Sequence, residues 1–407
     1  MNLKSSFLKS MVLAIIFALF LLPVGAANGD VDNGTEVEEE VVENVENVEN
    51  TESTGEAVEE EAKIISLSLE ESIEMAVENH PDIAVAIIEH EQAKADLRKA
   101  KRDAKSIKDL KEQGLPGLYT YDTYLAERVL PKTMEMLEIL ADKGLDFKKS
   151  LLKFQAENAY YDVLKAESEL ENATDSLVRA KEQLRLAQVG LDVGVNAQAD
   201  VLGAEVLVAS QELTVSFAKN SLKQAEMDFN NLMGLALDDE VKLTSVFSFS
   251  PIEFNLEEIG EMAREKDLTY VQLNESVKVQ EAAFDMAKGY YTPNVLTYQA
   301  AERDYEIAKL KLQNADQNLD LKIRKAYLNT ETAKEGYALM EKSVEQASEN
   351  YRLTKLRHDV GMATLLDLEK ASGELDKAKT ELVAAVYDYN LAATMLQHGI
   401  FDLDGMQ

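Results

Sequence analysis

The sequence of 407 residues contains no cysteine and no tryptophan, and only six prolines and 18 glycines. The absence of cysteine excludes disulfide bonds, thiolate metal sites, iron–sulfur clusters and an acylated N-terminal cysteine. Basic residues are also scarce, because 42 Lys and Arg stand against 75 Asp and Glu, which gives a net charge of −33. This balance argues against a nucleic-acid partner and against adhesion to an anionic membrane surface. Few helix breakers and 29% charged residues instead predict long helices.

The N-terminal segment, residues 1–27, has the pattern of a secretory signal peptide. It contains two lysines and no acidic residue, an apolar run from Met11 to Leu22, and small residues after that run. Cleavage after Ala26 or Ala27 fits equally well. The alternative is an uncleaved anchor, because the apolar stretch just reaches the length of a membrane span. Both interpretations predict export, and no other stretch is expected to be long and apolar enough to cross a bilayer as a helix.

Residues 28–63 form a second N-terminal segment, which is strongly acidic. From residue 30 to residue 63 the chain has 14 acidic residues and one lysine, and it repeats the triplet Val-Glu-Asn. Like charges repel, and no aromatic side chain offers surface to bury, so we interpret the segment as a disordered spacer. A docking peptide for a partner is the alternative to a solvated linker.

The rest of the chain consists of two related halves, 64–240 and 241–407. At an offset of 167, Asp192-Val193-Gly194 aligns with Asp359-Val360-Gly361. Nearer the start the offset is 187, so the first half contains about 20 additional residues between 102 and 158. Such self-similarity predicts a duplicated structural unit.

Within each half the apolar residues recur every seven positions. In the first half the two series are Val163, Leu170, Leu177, Leu184, Leu191 and Ala166, Ala173, Ala180, Ala187. A repeat of 3.5 residues predicts a coiled coil, and alanine permits close approach of antiparallel helices. The predicted fold class is therefore all-α, with long antiparallel coiled-coil hairpins in two tandem repeats. The first long helix is expected to run from about Thr133 to Gly190. A rod with so little core of its own is expected to oligomerise side by side.

The duplicated Asp-Val-Gly turn, followed by an aspartate six residues after the glycine, resembles the TolC family of outer-membrane efflux and secretion ducts. Leu67-Ser68-Leu69 with Asn79-His80-Pro81 is similar to the start of that family's repeat, and Phe229–Gly234 resembles the end of its first repeat. The resemblance covers about 64–407. It implies a TolC-like α-barrel of three protomers and twelve helices, which works with a periplasmic adaptor and an inner-membrane pump.

The resemblance also implies roles for residues at the hairpin tips. The turn residues, where the adaptor would dock, are Gly190, Val193, Gly194, Val360 and Gly361. Asp200 and Asp367 would form an acidic, cation-favouring ring at the tunnel mouth; helix N-terminal capping is the alternative role. The charged latch of the family's closed state is not evident. Ala363 stands two residues past the second turn glycine, and His358 stands where an aromatic hydroxyl is expected.

The TolC family places two membrane strands in each repeat, and this chain has little sequence for them. The corresponding segments are Leu115–Tyr124 and Ala287–Val295, where aromatic residues suggest one short strand at most before helical sequence resumes. The β-barrel part is therefore predicted to be reduced or absent, which leaves membrane insertion an open question.

No catalytic, cofactor or metal site is predicted, and an enzyme is not expected. The four histidines, His80, His90, His358 and His398, are scattered, with His80 in a helix-breaking turn and His90 on an apolar helix face. No phosphate-binding glycine loop or nucleophile elbow is present. The predicted function is a TolC-like efflux or secretion duct in the cell envelope, in the outer membrane where the source has one. The alternative is a non-conducting extracytoplasmic coiled-coil scaffold that has lost the membrane barrel.

Overall fold

A computed structural model describes residues 65–245 and 247–401 of the chain. The predicted signal peptide at 1–27 and the acidic spacer at 28–63 lie outside these residues. The described part is nearly all helix, as predicted, with two strands of three residues each.

The elements follow one another as β1 (Ile65–Leu67), α1 (Leu69–Asn79), α2 (Pro81–Glu112), α3 (Tyr121–Arg128), α4 (Leu130–Asp192), α5 (Gln198–Met233), β2 (Val241–Leu243), α6 (Leu256–Lys266), α7 (Leu268–Tyr290), α8 (Leu296–Asp359) and α9 (Leu365–His398).

Two long hairpins, α4–α5 and α8–α9, dominate the fold. α4 has 63 residues and α8 has 64, so each is about 95 Å long at a rise of 1.5 Å per residue. The predicted helix from Thr133 to Gly190 is confirmed as part of α4. Within the chain α5 packs on α4, α4 on α9, and α9 on α8. The four long helices thus lie in the order α5, α4, α9, α8, with α5 and α8 at the two edges.

The alanine series forms the tight contact of the first hairpin. Ala166, Ala173, Ala180 and Ala187 are all buried, whereas Leu170, Leu177, Leu184 and Leu191 are half-buried. Ala187 forms a cluster with Val201 and Ala204 of α5, and Leu184 and Leu191 pack against that cluster. On α5, Val201, Ala204 and Val215 are buried in return.

N-terminal caps stabilise the first two helices of the first repeat, α1 and α2. The Ser68 hydroxyl accepts a hydrogen bond from the Glu71 amide (3.2 Å), and the Glu71 carboxylate accepts one from the Ser68 amide (2.8 Å), which closes a capping box at α1. His80 caps α2 through Nδ1, which accepts from the Asp82 amide at 3.2 Å, while Pro81 takes the first helical position. The role of His80 is therefore structural.

A small parallel ladder lies halfway along α4. β1 pairs with β2, with Ile65 opposite Val241. The hydroxyl of buried Tyr160 donates to the Leu67 carbonyl (3.2 Å) and accepts from the Ser245 amide (2.9 Å). Tyr160 therefore ties the start and the end of the first repeat to the middle of its long helix.

The segments that correspond to the family's membrane strands are turn and helix. In the first repeat, a loop at 113–120 leads into α3, and in the second, residues 291–295 form a turn between α7 and α8. The prediction of a reduced or absent barrel is confirmed for these described positions. The additional residues of the first repeat are the end of α2, which has 32 residues against 23 in α7, together with the loop and α3.

One expectation about membrane spans is wrong. α5 contains an 18-residue window with a mean hydropathy of 1.3, so by length and composition it could cross a membrane. Only 17% of that window is buried within the chain. The sequence expectation missed it because α5 bears apolar residues on two faces, of which only one packs on α4.

Candidate functional site at the hairpin tips

The two hairpin turns have the same backbone geometry. Gly194 has φ +77° and Gly361 has φ +74°, values that residues with a Cβ rarely adopt. The Gly194 amide donates to the Leu191 carbonyl (3.0 Å), and the Gly361 amide donates to the His358 carbonyl (2.9 Å). Leu191 and His358 also align at the offset of 167, so the aligned residues of the two turns make equivalent hydrogen bonds.

Gly190 has a different role from the turn glycines. It lies in the last turn of α4, and a Cβ at this position would stand 2.3 Å from Nδ2 of Asn196. That amide donates to the Ala187 carbonyl at 3.4 Å. Gly190 thus makes room for the Asn196 side chain to fold back over the helix end. The second tip has Ala363 at the position that aligns with Asn196.

Asp200 and Asp367 are exposed and bond to the helix starts that follow the turns. Asp200 accepts from the Ala197 amide at 2.8 Å. Asp367 accepts from the Thr364 amide (2.9 Å) and the Thr364 hydroxyl (2.7 Å), and the Asp367 amide donates back to that hydroxyl (3.2 Å). These hydrogen bonds lower the pKa of the Asp367 carboxyl. Both aspartates act as caps, while their exposure also leaves them open to ions.

A third carboxylate, Glu369, lies beside this pair and was not singled out from the sequence. Burial, and after it the negative charge of Asp200, raises the pKa of Glu369. Asp200 belongs to the first hairpin and Glu369 to the second, so the two tips are close to each other. Leu365 of α9 also packs against the cluster of Ala187, Val201 and Ala204 in the first hairpin.

The tips expose an apolar surface. Val193 is 68% exposed and Val360 is 67% exposed, so the two predicted docking valines face solvent. The residue after each turn glycine, Val195 or Met362, is 80% exposed. A clustered apolar surface at the end of a highly charged rod is typical of a protein contact.

The contact between the hairpins above the tips is polar. Arg179 of α4 donates to the Asp376 carboxylate and, through Nε, to the Ser372 hydroxyl at 3.3 Å. Nearby, Lys379 donates to Asp175 at 3.0 Å. These links lie about 16 to 28 Å from the turn glycines, at 1.5 Å per residue. No sequence pattern indicated them.

His358 and Ala363, which the sequence has in place of the family's charged latch, lie at the second turn. His358 lies with Nδ1 3.8 Å from the Asp359 carboxylate, and that nitrogen has no hydrogen-bond partner. Ala363 is half-buried and carries no charge. Among the described residues, Arg179 and Lys379 form ion pairs between the two hairpins.

The other histidines lie beside carboxylates. His90, predicted on an apolar face, is buried with Nε2 3.4 Å from Glu138 and 3.5 Å from Asp142. His398 lies with Nε2 2.7 Å from the Glu157 carboxylate. Among the residues that the structure describes, no group of three or more His, Cys, Asp or Glu could hold a metal ion.

Comparison with known proteins agrees with this geometry. Residues 153–235 and 294–398, which contain most of both hairpins, match the family model described as outer membrane efflux protein. No curated protein matches the chain in a sequence comparison.

The fold is similar to solved outer-membrane channels. The protein VceC of Vibrio cholerae has a TM-score of 0.62 at 14% identity, over 82% of this chain and 95% of that one. The CmeC channel of Campylobacter jejuni gives 0.63 at 15% identity, over 83% and 86%. The MtrE channel of Neisseria gonorrhoeae gives 0.60 at 15% identity, over 82% and 88%.

Two tandem hairpins with long helices packed side by side give the chain the fold of these TolC-type channels. Both hairpins match the outer membrane efflux protein family, and the resemblance stated from the sequence is confirmed.

Proposed function

We propose that the chain is one protomer of a homotrimeric exit duct in the cell envelope, which passes molecules from an inner-membrane pump through a periplasmic adaptor. The observation that carries the proposal is a pair of apolar stripes on the two edge helices. These stripes have no partner within the described chain. Because they lie on opposite edges of the protomer, the stripe of one copy can cover the other stripe of a second copy.

The first stripe lies on α5. Leu202 is 53% exposed, Val206 70%, Leu213 56% and Phe217 63%. At 3.6 residues per turn these four lie within about 60° of one another. The buried residues that pack on α4, Val201, Ala204 and Val215, lie on almost the opposite side. α5 is therefore apolar on a second face that the hairpin leaves uncovered.

The second stripe lies on α8, at the other edge of the protomer. Its exposed residues are Ile307, Leu310, Leu321, Leu328, Leu339 and Leu353, between 40% and 64% exposed. They lie within about 80° on the helix over more than 40 residues. So long a stripe on one face of an uncovered edge helix requires a partner of equal length.

The α5 edge of one copy and the α8 edge of the next can cover each other. Because the two surfaces differ, this contact is head-to-tail, and it closes into a ring when the rotation between copies permits. With four long helices from each copy, three copies give a twelve-helix tunnel of the TolC type.

Engineered disulfides test the ring, since the chain has no native cysteine. Phe217 and Leu339 stand 23 and 22 residues from their turn glycines, so Phe217→Cys with Leu339→Cys is expected to cross-link copies into a trimer. The matched control pairs Phe217→Cys with Leu310→Cys, which lies on the same stripe but about 44 Å further up. That control is expected to stay uncross-linked. A ladder that ends at the dimer, or equal cross-linking of both pairs, contradicts the ring.

The carboxylates of the tips are proposed to line the mouth of this tunnel. Three copies would bring together Asp200, Asp367 and Glu369 from each protomer, which favours cations over anions. In planar bilayers, Asp200→Asn with Asp367→Asn is expected to reduce cation selectivity, whereas Asp238→Asn in the loop between α5 and β2 is not. Unchanged selectivity of the double variant restricts both aspartates to helix capping.

The exposed tip valines are proposed to contact the adaptor. Val193→Asp with Val360→Asp is expected to abolish co-purification of the adaptor while the trimer persists, because two charges would have to be buried. Val178→Asp, on α4 away from the tips, is the control, since Val178 is also 62% exposed. Adaptor binding that survives the double substitution contradicts this role.

α3 and the turn at 291–295 stand where the family has membrane strands. This observation favours a second candidate function, the non-conducting extracytoplasmic scaffold. Reconstitution decides between the two. A duct gives ionic conductance in planar bilayers, whereas a scaffold forms the same ring and remains silent.

A further inference from the structure

The end of the described chain opposite the hairpin turns is a compact cap, defined here as residues 113–128 and 289–301. α4 begins beside this cap and ends at the first turn, so the two ends lie about 95 Å apart. The cap contains α3 and the loops that stand in place of the family's membrane strands.

Tyrosines from both repeats pack together in the cap. The rings of Tyr121 and Tyr291 lie 5.0 Å apart, and those of Tyr121 and Tyr290 lie 5.6 Å apart. The Tyr290 hydroxyl donates to the Tyr119 carbonyl at 3.2 Å. The first repeat and the second repeat are therefore joined at this end, and the two loops form one surface.

Buried Lys111 holds the first loop in place. Its ammonium lies 2.6 Å from the Glu127 carboxylate, with both side chains at most 12% exposed, and 3.5 Å from the centre of the Tyr124 ring. The Tyr119 hydroxyl donates to the Lys111 carbonyl at 2.9 Å. The loop between α2 and α3 thus has a fixed conformation and presents its outer residues as a set surface.

The apex of the cap, residues 113–121 and 289–301, is uncharged and exposes apolar side chains. Residues 113–121 and 289–301 contain no Asp, Glu, Lys or Arg, in a chain that is 29% charged. Leu115 is 42% exposed, Tyr119 55% and Leu296 78%. Leucine with tyrosine, whose ring is apolar and whose hydroxyl is polar, suits the boundary between a bilayer's headgroups and its chains.

The end of α2 behind the apex is basic, in contrast to the acidic chain as a whole. Residues 98–132 contain nine basic and five acidic residues, although the whole chain has a net charge of −33. Six of the basic residues are exposed on the last turns of α2: Arg98, Lys99, Lys101, Arg102, Lys105 and Lys108. This stretch of α2 departs from the acidity of the whole chain, which argues against an anionic membrane surface.

We propose that the cap binds the surface of an anionic phospholipid bilayer. Its uncharged tyrosine-rich apex enters the headgroup layer, and Lys105 and Lys108, the exposed basic residues of α2 nearest to the apex, contact lipid phosphates behind it. Each basic residue near such a surface strengthens binding, and apolar side chains at the boundary add to it. The contact lies on the membrane and does not span it. It is independent of the ring and of the adaptor contact proposed above.

The absence of tryptophan permits a direct test with a single fluorescent reporter in the full chain. Leu115→Trp places the reporter at the apex, and Val195→Trp, at a site that is 80% exposed on the hairpin tip, is the matched control. Vesicles contain phosphatidylcholine with 30% phosphatidylglycerol, or phosphatidylcholine alone, each with bromine-labelled acyl chains as quencher. We expect quenching and a blue shift for Leu115→Trp on the anionic vesicles only, and neither for Val195→Trp.

Charge reversal tests the electrostatic part. Lys105→Glu with Lys108→Glu is expected to weaken binding to the anionic vesicles at least tenfold, since one basic residue near the surface contributes about a fivefold change in affinity. Lys342→Glu with Lys377→Glu, at lysine side chains that are 73% and 78% exposed near the hairpin tips, makes the same change in net charge. This control is expected to change binding less than twofold.

The apolar run at Met11–Leu22 is common to all variants, so its contribution to vesicle binding cancels. Equal quenching of the two tryptophan reporters, equal binding to both kinds of vesicle, or equal effects of the two charge reversals each overturn the proposal. A cap that remains unquenched while it binds a protein from the same envelope would assign this surface to a protein partner instead.

Discussion

Arg179 in α4 and Asp376 in α9 form an ion pair that joins the two hairpins, although they stand 197 positions apart in the sequence. Their side chains are 14% and 26% exposed, and Ser372 and Ser176 complete the hydrogen bonds of the guanidinium. Separation of the tips would have to break this contact, which lies well above the turns.

Removal of the guanidinium is expected to destabilise the chain. Arg179→Met leaves Asp376 and Ser372 without their partner, at a cost of about 1–3 kcal/mol in the free energy of unfolding. Chemical denaturation at neutral pH measures it. Arg185→Met is the control, because Arg185 pairs with Glu182 on an exposed helix face and should shift the midpoint very little. Equal shifts for the two variants would contradict a specific role of the pair.

The effect of an alanine at position 190 is expected to depend on residue 196. In an Asn196→Ala background, Gly190→Ala should stabilise by about 0.5–1 kcal/mol, because alanine is the better helix former. In the natural chain the new Cβ displaces the Asn196 amide, so the gain is lost. Thermal unfolding of the four variants of this cycle measures the coupling. Additive effects would show that the two residues do not interact.

The titration of Asp367 is expected to depend on the Thr364 hydroxyl. The side-chain and backbone hydrogen bonds from Thr364 lower the pKa of Asp367 below its ordinary value of 3.8. Because the folded-state pKa is the lower one, the stabilising contribution is present above the unfolded pKa and is lost as the pH falls through the folded value. Thr364→Val should raise the pKa of Asp367 in an NMR titration, whereas Thr332→Val, which removes an exposed hydroxyl on α8, should not. An unchanged titration would exclude the hydroxyl as a cause.

A larger side chain in the alanine series should separate α4 from α5. Ala180 is 3% exposed, so Ala180→Leu is expected to cost about 1–3 kcal/mol through overpacking. Val178→Leu, two residues away at a site that is 62% exposed, should leave the free energy of unfolding almost unchanged. Urea denaturation compares them. A neutral Ala180→Leu would show that the contact is loose enough to accept a leucine.

The hairpins and their turns could be predicted because their signals are local. A heptad series lies within one helix, and a turn glycine lies next to the helix ends that it joins. The alanines of α4 and the positive φ of Gly194 and Gly361 follow directly from such patterns. The duplication helped further, since each turn could be checked against its copy.

The contacts between repeats could not be predicted, because they join residues that are far apart in the chain. Tyr290 meets Tyr119 across 171 positions. In a sequence with 75 acidic residues, many partners for Arg179 are equally plausible. His90 was assigned to an apolar face, yet it faces Glu138 and Asp142 from the neighbouring helix. Periodicity places a residue on a face but does not say what that face meets.

The small ladder between β1 and β2 has a consequence for how the chain is made. Because Ile65 lies opposite Val241, the first repeat begins and ends at the same point, halfway along its long helix. Its closing contacts need no residue beyond 245. In a chain exported N-terminus first, as the sequence predicts, the first repeat can therefore be completed before the second hairpin has crossed the membrane, and it can serve as the template on which α8 and α9 assemble.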